Sequence, residues 1–276
     1  MPIANLKDVL VPAMSNGTAV AGFVVLGWED ARAFVEAAEE IGCPVILQAG
    51  PGCRAHTPLE VLAPMFRVLA ETASVPVVAH LDHGYEVEDC LKAIDLGFTS
   101  VMFDGSKLPL EENIRLMQSI AANAKPHGVS LEGEVGFVGY AEGAVSSGTK
   151  PEEAAQFAKE SNADALAISV GNVHLQQEKA AMIDFDLVHA IENVTNIPLV
   201  LHGGSGIPAK VRQKLAKETK ICKFNIGTEV RMAFGQSLRK TLNEDAQIFD
   251  RIKLLTQAEE SVKQAAKKVM LDISMA

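Results

Sequence analysis

The chain has 276 residues, 48% of them hydrophobic and 22% charged, with a formal net charge of −10. This balance points to a soluble globular protein and argues against a nucleic-acid footprint, which needs a basic stripe. It also argues against a membrane-spanning chain, because no uncharged apolar run reaches the required length. An anionic small molecule stays open as a ligand, since backbone dipoles or a metal outweigh the global field locally.

Short β-rich runs alternate with amphipathic segments. Strands are expected at 21–26, 44–49, 76–82, 99–104, 129–135, 165–170, 198–202 and 221–226. Helical patterns lie between them at 28–41, 58–72, 87–96, 110–124, 151–161, 185–193 and 209–218. Near-continuous apolar strands joined by helices imply a parallel sheet covered on both faces. Eight such units predict an α/β fold, a single-domain (β/α)8 TIM barrel over 1–276. Pro44, Pro76 and Pro198 each open a strand after a helix has ended, where a missing N–H costs least. A helical extension over about 229–276, read as 229–242 and 245–271, follows the eighth unit.

The N-terminus shows no basic segment followed by an apolar stretch, so no signal peptide is apparent. Cys43, Cys53, Cys90 and Cys222 show no close pairing, and reduced thiols in a cytoplasmic protein are the expectation.

Active sites in such barrels form at the C-terminal rim of the strands. The rim positions here read Asp82-His83, Asp104, Glu132 and Glu134, Asn172 and His174, His202, and Asn225. Three neutral imidazoles on separate strand ends suit a catalytic zinc with an open position. Asp82 beside them can move protons. His80 shares a strand face with Asp82 by period-2 alternation and is expected to support the site from behind. His56, His127 and His189 fall in loops or helices and are read as surface residues. Two inward carboxylates at 132 and 134 are costly in an apolar barrel unless a cation or donor partners at least one.

A glycine-rich turn at 203–208 follows the seventh strand, and Asn225-Ile-Gly-Thr-Glu229 follows the eighth. Glycines let backbone N–H groups approach an oxyanion, and a helix N-terminus adds its dipole. A phosphate is therefore the expected ligand there. The segment 136–148 carries four glycines and reads as a mobile flap, with Glu142 its one acid.

HLDHG at 80–84, SVMFDGSKLPLEENI at 100–114, LEGEVGFVG at 131–139, LVLHGGSGIP at 199–208 and KFNIGTEVR at 223–231 together resemble the class II, metal-dependent ketose-bisphosphate aldolases. The resemblance runs over nearly the whole chain. It implies that His83, His174 and His202 hold a catalytic zinc, with Asp104 and Glu134 at a second or displaced metal position. It implies Asp82 as acid/base at the C4 hydroxyl and Glu142 as the flap residue that exchanges the C3 proton. It assigns Gly203, Gly204, Ser205, Asn225, Gly227 and Thr228 to dihydroxyacetone phosphate, with Lys179 reaching the same phosphate. A phosphorylated sugar is the partner implied, no nucleic acid or membrane is, and a homodimer or homotetramer is expected. Assistance from a monovalent cation stays open beside zinc.

Three departures stand out. Phe23-Val-Val-Leu-Gly-Trp-Glu29 lacks both asparagines of the family's FNxxNLE, and Gln48-Ala-Gly-Pro-Gly52 stands where the family often has a serine after its second strand, so the half that receives the distal end of the sugar differs. Leu175 stands where the family has glycine after its histidine, which alters one phosphate contact. The reaction expected is reversible cleavage of a ketose 1-phosphate or 1,6-bisphosphate. The same chemistry on an atypical distal half, such as 6-deoxy-6-sulfofructose 1-phosphate met by Arg54, or by Arg251 and Lys253 of a neighbouring subunit, is an alternative. A metal-dependent hydrolase on the same barrel is a second.

Overall fold

The computed structural model describes residues 3–274. A two-residue strand, β1 (Ile3–Ala4), is followed by a first helix, α1 (Leu6–Asn16). Eight longer strands follow: β2 (Val20–Val24), β3 (Val45–Ala49), β4 (Val77–Gly84), β5 (Ser100–Phe103), β6 (Ser130–Val135), β7 (Ala165–Ile168), β8 (Leu199–Leu201) and β9 (Ile221–Ile226). Each pairs in parallel with the next, and β9 pairs with β2, so the sheet closes. The eight expected strands are these eight.

The helices α2 (Trp28–Ile41), α3 (Pro51–His56), α4 (Leu59–Thr72), α5 (Val87–Asp95), α6 (Leu110–Ala124), α7 (Pro151–Glu160), α8 (Phe185–Glu192) and α9 (Ala209–Glu218) alternate with them. The chain is an eight-stranded TIM barrel. Two further helices, α10 (Thr228–Glu244) and α11 (Arg251–Ser274), complete the described residues. The second begins later than its expected start at 245.

The sequence reading assigns nothing before residue 21 and nothing at 51–56. Pro12 lies inside α1, where a proline ordinarily breaks a helix, but the helix is closed at both ends. Asn5 and Asp8 form a reciprocal capping box, and Gly17 ends the helix in the left-handed region at φ 64°.

The larger core lies between the sheet and its helices, where Phe23 of β2 stacks on Phe34 of α2 at 4.5 Å. Each such fully buried phenylalanine contributes roughly 2–3 kcal/mol. A smaller core fills the barrel floor. Leu6, Val9, Leu10 and Ala13 of α1 pack there against Val20, Ile46, Val78, Ala165, Ala167 and Val200. Above this floor the interior turns polar. Gln48, His80, Glu132 and Lys223 are fully buried.

Candidate active site

His83 is the penultimate residue of β4, His202 directly follows β8, and His174 lies in the connection after β7. One ring nitrogen from each falls within 4.8 Å of the others. Such a group can hold a metal ion. His83, Asp104 and Glu134 form a second group that meets the same limit. The two groups share His83, the arrangement needed for an ion with alternative positions.

Their orientations are fixed from behind. Asp104 Oδ2 accepts from His83 Nδ1 at 2.7 Å, and Ser106 Oγ donates to the other Asp104 oxygen at 2.6 Å. His83 Nε2 is thereby turned toward His202 Nδ1, 2.9 Å away. His202 Nε2 donates to Glu132 Oε1 at 3.1 Å. A histidine whose second nitrogen meets a carboxylate is locked in tautomer and tilt, as metal-binding histidines usually are.

Glu132 in turn accepts from the Lys223 ammonium, which also lies 3.2 Å from His80 Nε2. His80 closes the chain on Ser100 Oγ at 2.8 Å. His80 therefore supports the site through Lys223, which sequence reasoning passed over. The signal was its alternation with Asn225 on an inward strand face.

Titration follows this geometry. Burial alone would lower His83, but the carboxylates of Asp82, Asp104 and Glu134 prevail and push it up to about 9. Burial, aided by the charge on His83, lowers His174 to about 4 and holds His202 well below the usual imidazole range. Glu134 is pushed up to about 8 by burial and by the neighbouring Asp104 charge. Its Oε2 is buried without a hydrogen-bond partner, 3.7 Å from His202 Nδ1. Such an orphaned acceptor is costly unless a cation meets it, so the donor set fits a metal.

Asp82 accepts from Gln48 Nε2 at 3.3 Å and Asn225 Nδ2 at 3.2 Å through one oxygen, Oδ1. Gly22 makes this possible, since a Cβ there would come within 2.8 Å of the Gln48 side chain. The cavity above has a volume of 280 Å³ and is lined by Asp82, His83 and His174, with Gly203, Ser205, Asn225, Gly227 and Thr228 along one side. Ser205 Oγ accepts from the N–H groups of Gly227 and Glu229 at 3.3 and 3.1 Å, tying the two glycine loops together at the start of α10. Gly204 is buried behind this lining, against the Asn225 carbonyl.

Other expected residues lie further out. Lys179 pairs with Glu229 at 2.7 Å and does not line the cavity. Glu142 is exposed and outside the lining, whereas Tyr140 of the same flap is within it. Tyr85 and Arg231 also line the cavity, and sequence reasoning named neither. His56, His127 and His189 are exposed, as expected.

Arg54 is a correction. Its guanidinium donates to the carbonyls of Ala49 and Asp82 at 2.6 Å and of His83 at 2.8 Å. It staples the ends of β3 and β4 and is not free to receive a sulfonate. Arg251 and Lys253 are exposed on α11.

Residues 4–276 match the family model described as fructose-bisphosphate aldolase class-II. A fructose-bisphosphate aldolase of Staphylococcus aureus is 36% identical over 274 residues, covering 97% of this chain and 96% of its own. A 6-phospho-5-dehydro-2-deoxy-D-gluconate aldolase of Bacillus subtilis is 35% identical, covering 100% and 97%. The crystal structure of the YdjI aldolase of Escherichia coli K12 superposes with a TM-score of 0.86 at 30% identity, over 98% of this chain and 97% of that one. With its barrel, its histidine cluster and this end-to-end match, the chain belongs to the class II fructose-bisphosphate aldolase family, carbon–carbon lyases acting on phosphorylated ketoses.

Proposed function

We propose that the protein is a zinc-dependent aldolase that reversibly cleaves a ketose 1-phosphate or 1,6-bisphosphate to dihydroxyacetone phosphate and an aldehyde. The observation that carries this reading is the convergence of His83, His174 and His202 beside Asp82. These three histidines would hold the zinc, with Asp104 and Glu134 offering the alternative position beside His83. When bound, zinc supplies a Lewis acid that polarises the C2 carbonyl and offsets the negative charge developing as C3–C4 breaks.

The rest falls to the chain's own residues. Asp82, held in place by Gln48 and Asn225, takes the C4 hydroxyl proton. The C1 phosphate sits against Gly203, Gly204 and Ser205 and the Asn225–Thr228 turn, where backbone N–H groups and the α10 dipole favour an anion. Lys179 reaches that phosphate by exchanging its Glu229 partner for it. Glu142 moves the C3 proton when the flap swings inward. We read the protein as a cytoplasmic homodimer or homotetramer, an assembly that would cover Phe249 and Ile252, 93% and 76% exposed near the start of α11.

The two curated relatives act on different substrates at nearly equal identity, so the ketose is chosen by assay. Ketose 1-phosphates and 1,6-bisphosphates are screened for triose phosphate release. Cleavage should vanish in chelator and return with zinc. Activity that persists in chelator, or a lysine adduct trapped by borohydride, overturns the zinc reading. Release of inorganic phosphate without an aldehyde overturns the lyase reading for that substrate.

A further inference from the structure

The chain contains two tyrosines in 276 residues, and both line the cavity. Tyr85 directly follows β4. Tyr140 sits on the flap, where the Ala141 N–H donates to the His174 carbonyl at 3.0 Å and the His174 N–H to the Gly139 carbonyl at 2.8 Å. Each ring leans on one imidazole of the cluster. Tyr140 lies over His174 at 5.0 Å between centroids and 28° between planes, and Tyr85 over His83 at 6.2 Å and 29°.

The rings are 45% and 36% exposed, too open for core packing to explain them. A phenol hydroxyl is protonated at neutral pH, so both can act as hydrogen-bond donors.

Their position assigns them a half of the substrate. Around the closed sheet β4 is four strands from β8, directly across the ring from the glycine loops after β8 and β9. The wall on that side is made by Gly50, Pro51, Gly52 and the two tyrosines, none of them charged. Among the described residues, the one lysine or arginine lining the cavity is Arg231. Its guanidinium carbon lies 3.9 Å from where a Cβ on Gly227 would stand, on the glycine-loop side. Arg54, on that side at the ends of β3 and β4, is occupied by three main-chain carbonyls and does not line the cavity, so a second phosphate there would face the Asp82 carboxylate without a free cation. A polyhydroxylated chain would meet hydroxyl donors and two ring faces suited to its C–H surface.

Building on the aldolase reading above, we propose that Tyr85 and Tyr140 form the receptor for the aldehyde half of the substrate and select an uncharged polyhydroxy aldehyde. They are specificity-determining residues, one fixed on the rim and one delivered by the flap.

The test uses zinc-loaded protein with Tyr85→Phe and Tyr140→Phe. Cleavage of D-fructose 1-phosphate and D-tagatose 1-phosphate is measured beside deuterium exchange at C3 of dihydroxyacetone phosphate, which needs no aldehyde. One lost hydrogen bond should lower the ratio of cleavage to exchange about ten-fold in each variant, and wild type should prefer the 1-phosphates over their 1,6-bisphosphates. Equal losses in cleavage and exchange, an unchanged ratio, or a preference for the bisphosphates overturns the proposal. Wild type that shows neither exchange nor cleavage overturns the aldolase reading and this proposal with it, whereas exchange without tyrosine dependence overturns this proposal alone.

Discussion

His83 and Leu175 both occupy left-handed backbone, at φ 51° and 58°. Side chains with a Cβ seldom settle there, at a cost of about 1–2 kcal/mol. At His83 the carbonyl is held by Arg54 and the ring by Asp104, so the surrounding contacts fix the conformation. Leu175 follows His174 and is half exposed, with no such anchor in its side chain. Its conformation is the one a glycine would adopt freely.

The protonation of His83 makes metal binding depend on pH. Its folded pKa of about 9 lies above the ordinary value of 6.5, so its charged form stabilises the metal-free protein. That contribution is complete below 6.5 and is lost as pH rises through 9. Zinc requires the neutral ring and must displace this proton. The zinc dissociation constant should therefore fall about ten-fold per pH unit as pH rises toward 9 and level off above it. Competition with a chromophoric chelator measures this. His174, at about 4, is neutral throughout that range and adds no slope. A flat profile would mean that His83 keeps no proton in the metal-free protein.

At the scale of elements, β6 and β9 face one another across the barrel interior through Glu132 and Lys223, both fully buried. Removing one member of a buried ion pair leaves an uncompensated charge, which typically costs 3–5 kcal/mol. Lys223→Met should lower unfolding stability by about that amount in urea titrations, and adding Glu132→Gln should recover most of it. An additive double variant would show that the two residues do not act as a pair.

These elements also show what the sequence reveals. The barrel strands were legible because prolines and apolar runs mark them, and the histidines because they fall where those runs end. Lys223 was not, since a lysine in Ile-Cys-Lys-Phe-Asn-Ile reads as an edge or solvent position until the partner strand is known. Arg54 was misassigned because its acceptors are main-chain carbonyls, which leave no trace in residue identity. The first helix was hidden by Pro12, which the capping at both ends outweighs.

For the whole molecule, α11 joins the end of the chain to its beginning. Val262, Ala266, Val269, Met270 and Ile273 are buried in the main core, and the Ile273 carbonyl accepts from Ala19 just before β2. Arg32 of α2 pairs with Glu259, while Lys263 and Lys267 meet Glu40. The exposed pairs add little, at most about 1 kcal/mol each; the apolar face decides. A chain ending at Asp250 should lose cooperative thermal unfolding by circular dichroism, because five buried apolar side chains at roughly 1.5–3 kcal/mol each rival a domain's net stability. Retention of a sharp transition would show α11 to be an accessory.

The first helix has a consequence for charge. It stoppers the barrel from below, the histidine cluster roofs it from above, and between them Ser100, His80, Lys223 and Glu132 are fully shielded from solvent. The inner group has one hydrogen-bonded outlet, Glu132 Oε1 to His202 Nε2. Any change of charge in the closed lower half of the barrel is therefore felt first at the histidine cluster.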